Sequence, residues 1–193
     1  MPAARETSRR RAPPEETTSL LGENEVKLSS EADADAAMRN FIGLCIAFGV
    51  THSCLTVGIA YASSVFDLTL GSASTGLVYT LYTLTSLLAA APFVDFVGPR
   101  NGMTLSIFGF LLYLISFVVG QAADGSNYSL AYTVVIIGSI CGGISSSIGW
   151  VSQGVYYARS AVLYSQATGG SLEASNELLA GRFTTICEFV SNS

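Results

Sequence analysis

The sequence predicts an all-α polytopic membrane protein, and three observations predict it. Half of the 193 residues are hydrophobic and only 12% are charged. Between Arg39 and Arg159 the charged residues are Asp67, Asp95, Arg100 and Asp124 and no others. The uncharged runs they leave, 40–66, 68–94, 101–123 and 125–158, each exceed the roughly 20 apolar residues that cross about 30 Å of hydrocarbon. A water-soluble domain needs charge over its surface and would not dispense with it across such a length. Helices are expected rather than barrel strands, because lipid offers no partner to free backbone groups and the runs are too long for strands.

Residues 1–39 come first and differ from the rest. They hold eight acids and six bases with Pro13, Pro14 and many Ser and Thr. Such a segment has no apolar face to bury, so it is expected to be a disordered tail. No apolar run follows its early arginines, so it is not read as a signal peptide. Spans are then expected at about 41–64, 75–96, 103–122 and 130–156, giving a four-helix transmembrane region over 40–158. Residues 159–193 read as a cytoplasmic segment and an aborted fifth helix, in which Glu188 and a polar end leave too few apolar residues to cross. Leu172, Leu178, Leu179, Phe183, Ile186 and Phe189 also fit an amphipathic helix lying at the membrane surface.

The bases set the orientation. Arg5, Arg9, Arg10, Arg11, Lys27 and Arg39 precede the first span, Arg100 lies in the second loop, and Arg159 and Arg182 follow the fourth span. The first and third loops carry Asp67 and Asp124 and no base. By the positive-inside rule the amino terminus is expected in the cytoplasm.

Three segments carry a resemblance. They are Leu70-Gly71-Ser72-Ala73-Ser74-Thr75-Gly76-Leu77-Val78-Tyr79, Ala91-Pro92-Phe93-Val94-Asp95-Phe96-Val97-Gly98-Pro99-Arg100, and Ile148-Gly149-Trp150-Val151-Ser152-Gln153-Gly154-Val155-Tyr156. Together they resemble the unc-ninety-three-like (ion-channel regulatory protein-like) branch of the major facilitator superfamily. The resemblance implies a fold of twelve helices in two six-helix halves around a central cavity. Four spans resemble the start of that fold, so the chain is expected to be truncated, covering about a third of it. Within the second segment Asp95, Gly98 and Arg100 match the superfamily's cytoplasmic gate motif, while Ala91, Phe96 and Pro99 depart from it. The departures weaken the lock that the motif implies and leave a tight turn as the other reading.

Other candidates are read from the residues themselves. His52 is the only histidine and falls midway along the first span. An ionisable group there faces a cavity or a polar partner, so His52 is a candidate for a cavity or proton path, with the structural role of bonding a neighbouring helix beside it. Gln153 is a second candidate, because a buried amide needs partners. Gly138, Gly142, Gly143, Ser146 and Ser147 recur at four-residue spacing and are expected to pack a close helix, or to present hydroxyls to a wet cavity. Trp150, Tyr156 and Tyr157 read as interfacial anchors. Glu16, Leu20 and Leu21 fit an acidic dileucine sorting signal, implying contact with a clathrin adaptor. Asn127-Tyr128-Ser129 is a glycosylation sequon.

Cys45, Cys54, Cys141 and Cys187 lack metal-ligand spacing. No nucleophile–base set, phosphate loop or nucleic-acid patch is present, so no enzyme activity, metal or cofactor is expected. The leading expectation is a transporter moving a small solute by alternating access, or its amino-terminal part. A non-transporting regulator or escort of a channel or receptor is the alternative, and a non-functional truncated product the second. Plasma membrane or endosomal/vacuolar membrane is the expected location.

Overall fold

A computed structural model describes residues 15–191, with side chains from 31 to 190. Among the described residues six helices follow one another: α1 (Glu15–Val65), α2 (Leu68–Leu88), α3 (Ala90–Val97), α4 (Pro99–Ala123), α5 (Tyr128–Thr168) and α6 (Leu172–Ser191). Three of them, α1, α4 and α5, are long and apolar enough to cross a membrane, and the α2–α3 pair makes a fourth if its bend is counted within one span. The chain is therefore an all-helical protein consistent with a multi-pass membrane protein.

The exterior supports that reading. Val118, Leu87, Leu88 and Phe96 are 71%, 76%, 76% and 90% exposed, while the buried polar residues include Ser74, Ser106, Ser139 and Ser147. Large apolar side chains outside and small polar ones inside suit a lipid surround, where helices associate by close packing and hydroxyl bonds rather than by hydrophobic burial.

Helix α5 sits at the centre and touches α1, α2, α3, α4 and α6. It runs antiparallel to α4: Gly102 meets Ser152, Ser106 meets Gly149, Gly109 meets Ser145 and Ser116 meets Gly138. It runs parallel to α2, where Ser74 Oγ lies 2.7 Å from Ser139 Oγ and Ser86 donates to Ser147 Oγ at 2.9 Å. Gly138, Gly142 and Gly143 thus face α4 or α2, and Ser147 bonds to α2. A Cβ on Gly143 would sit 2.7 Å from the Val78 carbonyl oxygen and 2.9 Å from Leu81 Cβ. In the first resembling segment, Gly71 is equally confined: a Cβ there would lie 2.8 Å from the Ala62 carbonyl oxygen across the α1–α2 turn.

The second span departs from the expected single helix over 75–96. It begins at Leu68 and bends by 67° between Leu88 and Ala90. Pro92 is the cause, since it has no N–H to give the Leu88 carbonyl and its ring crowds that oxygen. The connection expected between the second and third spans, 97–102, is reduced to Gly98 alone between α3 and α4. Gly98 has φ 82° and ψ 152°, a region closed to residues with a Cβ. Gly98→Ala is expected to destabilise the protein by about 1–3 kcal/mol, read as a lower midpoint of thermal unfolding in detergent.

The amino-terminal and carboxy-terminal regions also differ from expectation. α1 starts at Glu15, so residues 15–39, expected as disordered tail, are helical. From Glu31 to Met38 the sequence is EADADAAM, and alanine is the best helix former, so the span's first turns propagate outward at little cost. Residues 1–14 lie outside the described residues. Residues 159–168, expected in a cytoplasmic segment, continue α5.

α6 does not lie alone on a surface. Leu179 joins Phe41, Cys45 and Ala161 in one core cluster, and further along α6 Val190 comes against Gly49 of α1. Residue numbers rise together on both helices, so α6 runs parallel to α1 and packs along it. It is 20 residues long but too polar to count as a span.

The two ends of the bundle differ in charge: among the described residues one carries acids and no base, the other carries arginines beside Asp95. At one end Asp67 caps α2, accepting from Leu70 N–H at 2.9 Å, and accepts from Tyr128 Oη at 3.0 Å. Asp124 closes α4 at the same end. At the other end Arg100 and Arg159 border one hollow. The Leu70 N–H first, and then the Tyr128 hydroxyl, hold the Asp67 carboxyl below the usual carboxylate range. Its folded-state pKa is depressed, so the contact's contribution is present above the unfolded value of about 3.9 and is lost as pH falls through the lower folded value. Thermal unfolding measured from pH 6 to pH 3 should therefore fall more steeply in the wild type than in Asp67→Asn.

Candidate functional site

His52 lies on α1 and is half-buried. One turn earlier Phe48 stacks on it, with ring centroids 5.9 Å apart and planes within 6°. Trp150 of α5 meets both rings edge-on, at 5.2 Å from His52 and 4.9 Å from Phe48. The antiparallel course of α1 and α5 brings these residues to one level. Each helix contributes two positions four apart, Phe48 with His52 and Ser146 with Trp150, so each pair shares a helix face.

Two hollows meet at this cluster. The larger, about 340 Å³, opens between α1, α2 and α5 and is lined by His52, Thr56, Tyr79, Tyr82, Ser146 and Trp150, with apolar residues between them. The smaller, about 40 Å³, runs toward α4 past Phe48, Thr51, Ser106 and Phe110. His52, Ser146 and Trp150 border both. Ser146 is 5% exposed, and its Oγ has no hydrogen-bond partner among the described residues. A buried hydroxyl without a partner is uncommon, and here it stands at the wall of a hollow large enough for a small solute. The lining offers an imidazole, hydroxyls and aromatic faces and, among the described residues, contains no carboxylate, lysine or arginine. It can bind by stacking and neutral hydrogen bonds.

The other candidates lie elsewhere. Gln153 is buried in α5 but lines neither hollow, so the structure does not bring it to His52. Asp95 on α3 and Arg100 on α4 are exposed on the two sides of Gly98. Asn127 caps α5, its side chain accepting from Leu130 N–H at 3.1 Å, a structural role beside the sequon. Glu16, Leu20 and Leu21 fall in the first turns of α1, and their side chains lie outside the described residues.

Trp150 was expected as an interfacial anchor; α5 continues past it to Thr168, and its ring packs against His52 and Phe48 of α1. Tyr157 packs edge-on against Phe41 at 5.6 Å and donates to the Asn176 carbonyl at 2.8 Å, joining α5 to α1 and α6. The roles of Trp150 and Ser146 in the cavity were missed because only the pairing of α1 with α5 sets them beside His52. No protein-family model, curated protein or solved structure matches this chain.

Proposed function

We propose that this chain is a helical unit of a membrane transporter of the major facilitator type, in its unc-ninety-three-like branch, and that it moves a small uncharged or weakly basic solute by alternating access. The observation that carries the proposal is the pair of hollows meeting at His52, Ser146 and Trp150 inside a bundle of membrane-length helices. The broken second span supports it, because discontinuous helices beside a mid-membrane site recur in transporters. The resembling segments contribute Gly71, Gly98 and Trp150 at the α1–α2 turn, the α3–α4 turn and the cavity. The end bearing Arg100 and Arg159 faces the cytoplasm in this reading, as the positive-inside rule requires.

Uptake of a panel of labelled neutral and weakly basic solutes into vesicles carrying the protein tests the proposal. At least one solute is expected to show saturable uptake that Trp150→Ala lowers about tenfold or more, a loss equivalent to about 1.4 kcal/mol of binding. His52→Ala is expected to lower the same uptake and to flatten its dependence on pH between 5 and 8. Absence of saturable uptake for every solute, or uptake indifferent to both substitutions, contradicts it.

A further inference from the structure

Toward the opposite end of α5 from Asn127, a third hollow of about 320 Å³ opens where α3, α4 and α5 meet. Arg100, Arg159, Asn101, Tyr156, Gly98 and Leu163 border it. Both arginines are exposed, and among the described residues no carboxylate lines the hollow. Two arginines bordering one space give it a positive potential that favours an anion. Helix α4 begins at this hollow with no side chain capping its amino end, which adds a partial positive charge to the same place. Leu163, one turn beyond Arg159 and 58% exposed, gives the rim an apolar side. Tyr156 stands at the end of the span read from the sequence, where headgroups lie.

We infer that this hollow binds a phosphate group, held by Arg100 and Arg159, and that the group belongs to the headgroup of an anionic lipid. Guanidinium forks match phosphate oxygens two at a time, and the apolar rim suits the glycerol and first acyl carbons of a lipid rather than a free ion. The site is separate from the cavity at His52 and does not depend on its role. Such a lipid would hold α3 and the Gly98 turn against α5.

The test uses the full chain in a neutral detergent. Native mass spectrometry would follow binding of dioctanoyl phosphatidic acid, of dioctanoyl phosphatidylcholine, and of inorganic phosphate at constant ionic strength. Phosphatidic acid is expected to bind saturably and at least about tenfold more tightly than phosphatidylcholine. The Arg100→Gln/Arg159→Gln variant should lose this preference, while Arg39→Gln/Arg182→Gln keeps it. Arg100→Lys/Arg159→Lys, with the charge retained and folding checked by helical circular dichroism, should show partial loss. Saturable binding of inorganic phosphate abolished by the same glutamine variant would keep the phosphate site but overturn its assignment to lipid. Equal binding of both lipids, or equal loss in the Arg39/Arg182 variant, would overturn the site itself.

Discussion

Gly143→Val is expected to separate α2 from α5 and to unfold much of the bundle. The first added carbon would lie 2.7 Å from the Val78 carbonyl oxygen and 2.9 Å from Leu81 Cβ. A backbone oxygen cannot rotate aside as a side chain can, so the two helices must move apart. Separation would also break the Ser74–Ser139 and Ser86–Ser147 contacts, which tie the same pair of helices at 2.7 and 2.9 Å. Overpacking of a tight core costs about 1–3 kcal/mol, and each lost interhelical hydroxyl bond in a membrane adds about 0.6. The expected total is about 3 kcal/mol, measured as the shift in unfolding free energy in mixed micelles. Gly76→Val is the control, because nothing lies within 4 Å of a Cβ there. A similar loss in both variants would mean that the close approach at Gly143 is not what holds α2 to α5.

Tyr113→Ala is the second large effect. Tyr113 is fully buried on α4 and shares a cluster with Leu55 of α1, Val78 of α2 and Phe110 of its own helix. Phe117 packs edge-on at 4.8 Å, and the ring lies 3.0 Å from where a Cβ on Gly142 would stand. One side chain thus fills the space between four helices. Aromatic-to-alanine changes in cores cost about 3–5 kcal/mol, combining lost transfer energy and the void left behind. In lipid the transfer part shrinks, because hydrocarbon is as apolar as the core, and the void remains. A loss of about 3 kcal/mol is therefore expected, with Tyr113→Phe retaining most of the packing. Equal stability of the alanine and wild-type proteins would show that the cluster is not the bundle's centre.

The spans were legible because charge is so scarce. Asp67, Asp95, Arg100 and Asp124 divide the chain into apolar runs, and the long helices α4 and α5 cover the expected third and fourth spans. The break in the second span was written in the sequence as Pro92, but the apolar run around it reads as continuous when only hydropathy is followed. The helical course of 31–38 was hidden for the opposite reason, since charge content there outweighed an alanine-rich helical propensity; nothing comparable in the sequence accounts for the further extension to Glu15. His52 stood out as a lone ionisable residue in a span. Ser146 and Trp150 did not, because their part in the cavity comes from the antiparallel meeting of two helices distant in sequence. The small-residue stripe of α5 was legible as a surface, but its partners on α2 and α4 were not.

The account turns on whether the space at His52, Ser146 and Trp150 is open to water within the membrane. Trp150 is the chain's only tryptophan and is 37% exposed, so its fluorescence reports on that space without any substitution. The decisive measurement is quenching of Trp150 emission in lipid nanodiscs by aqueous acrylamide and, separately, by lipids carrying a doxyl quencher on the acyl chain. A water-filled solute cavity gives strong quenching by acrylamide and weak quenching by the doxyl lipid. Strong doxyl quenching with acrylamide excluded would place Trp150 against lipid and contradict a solute cavity at this site.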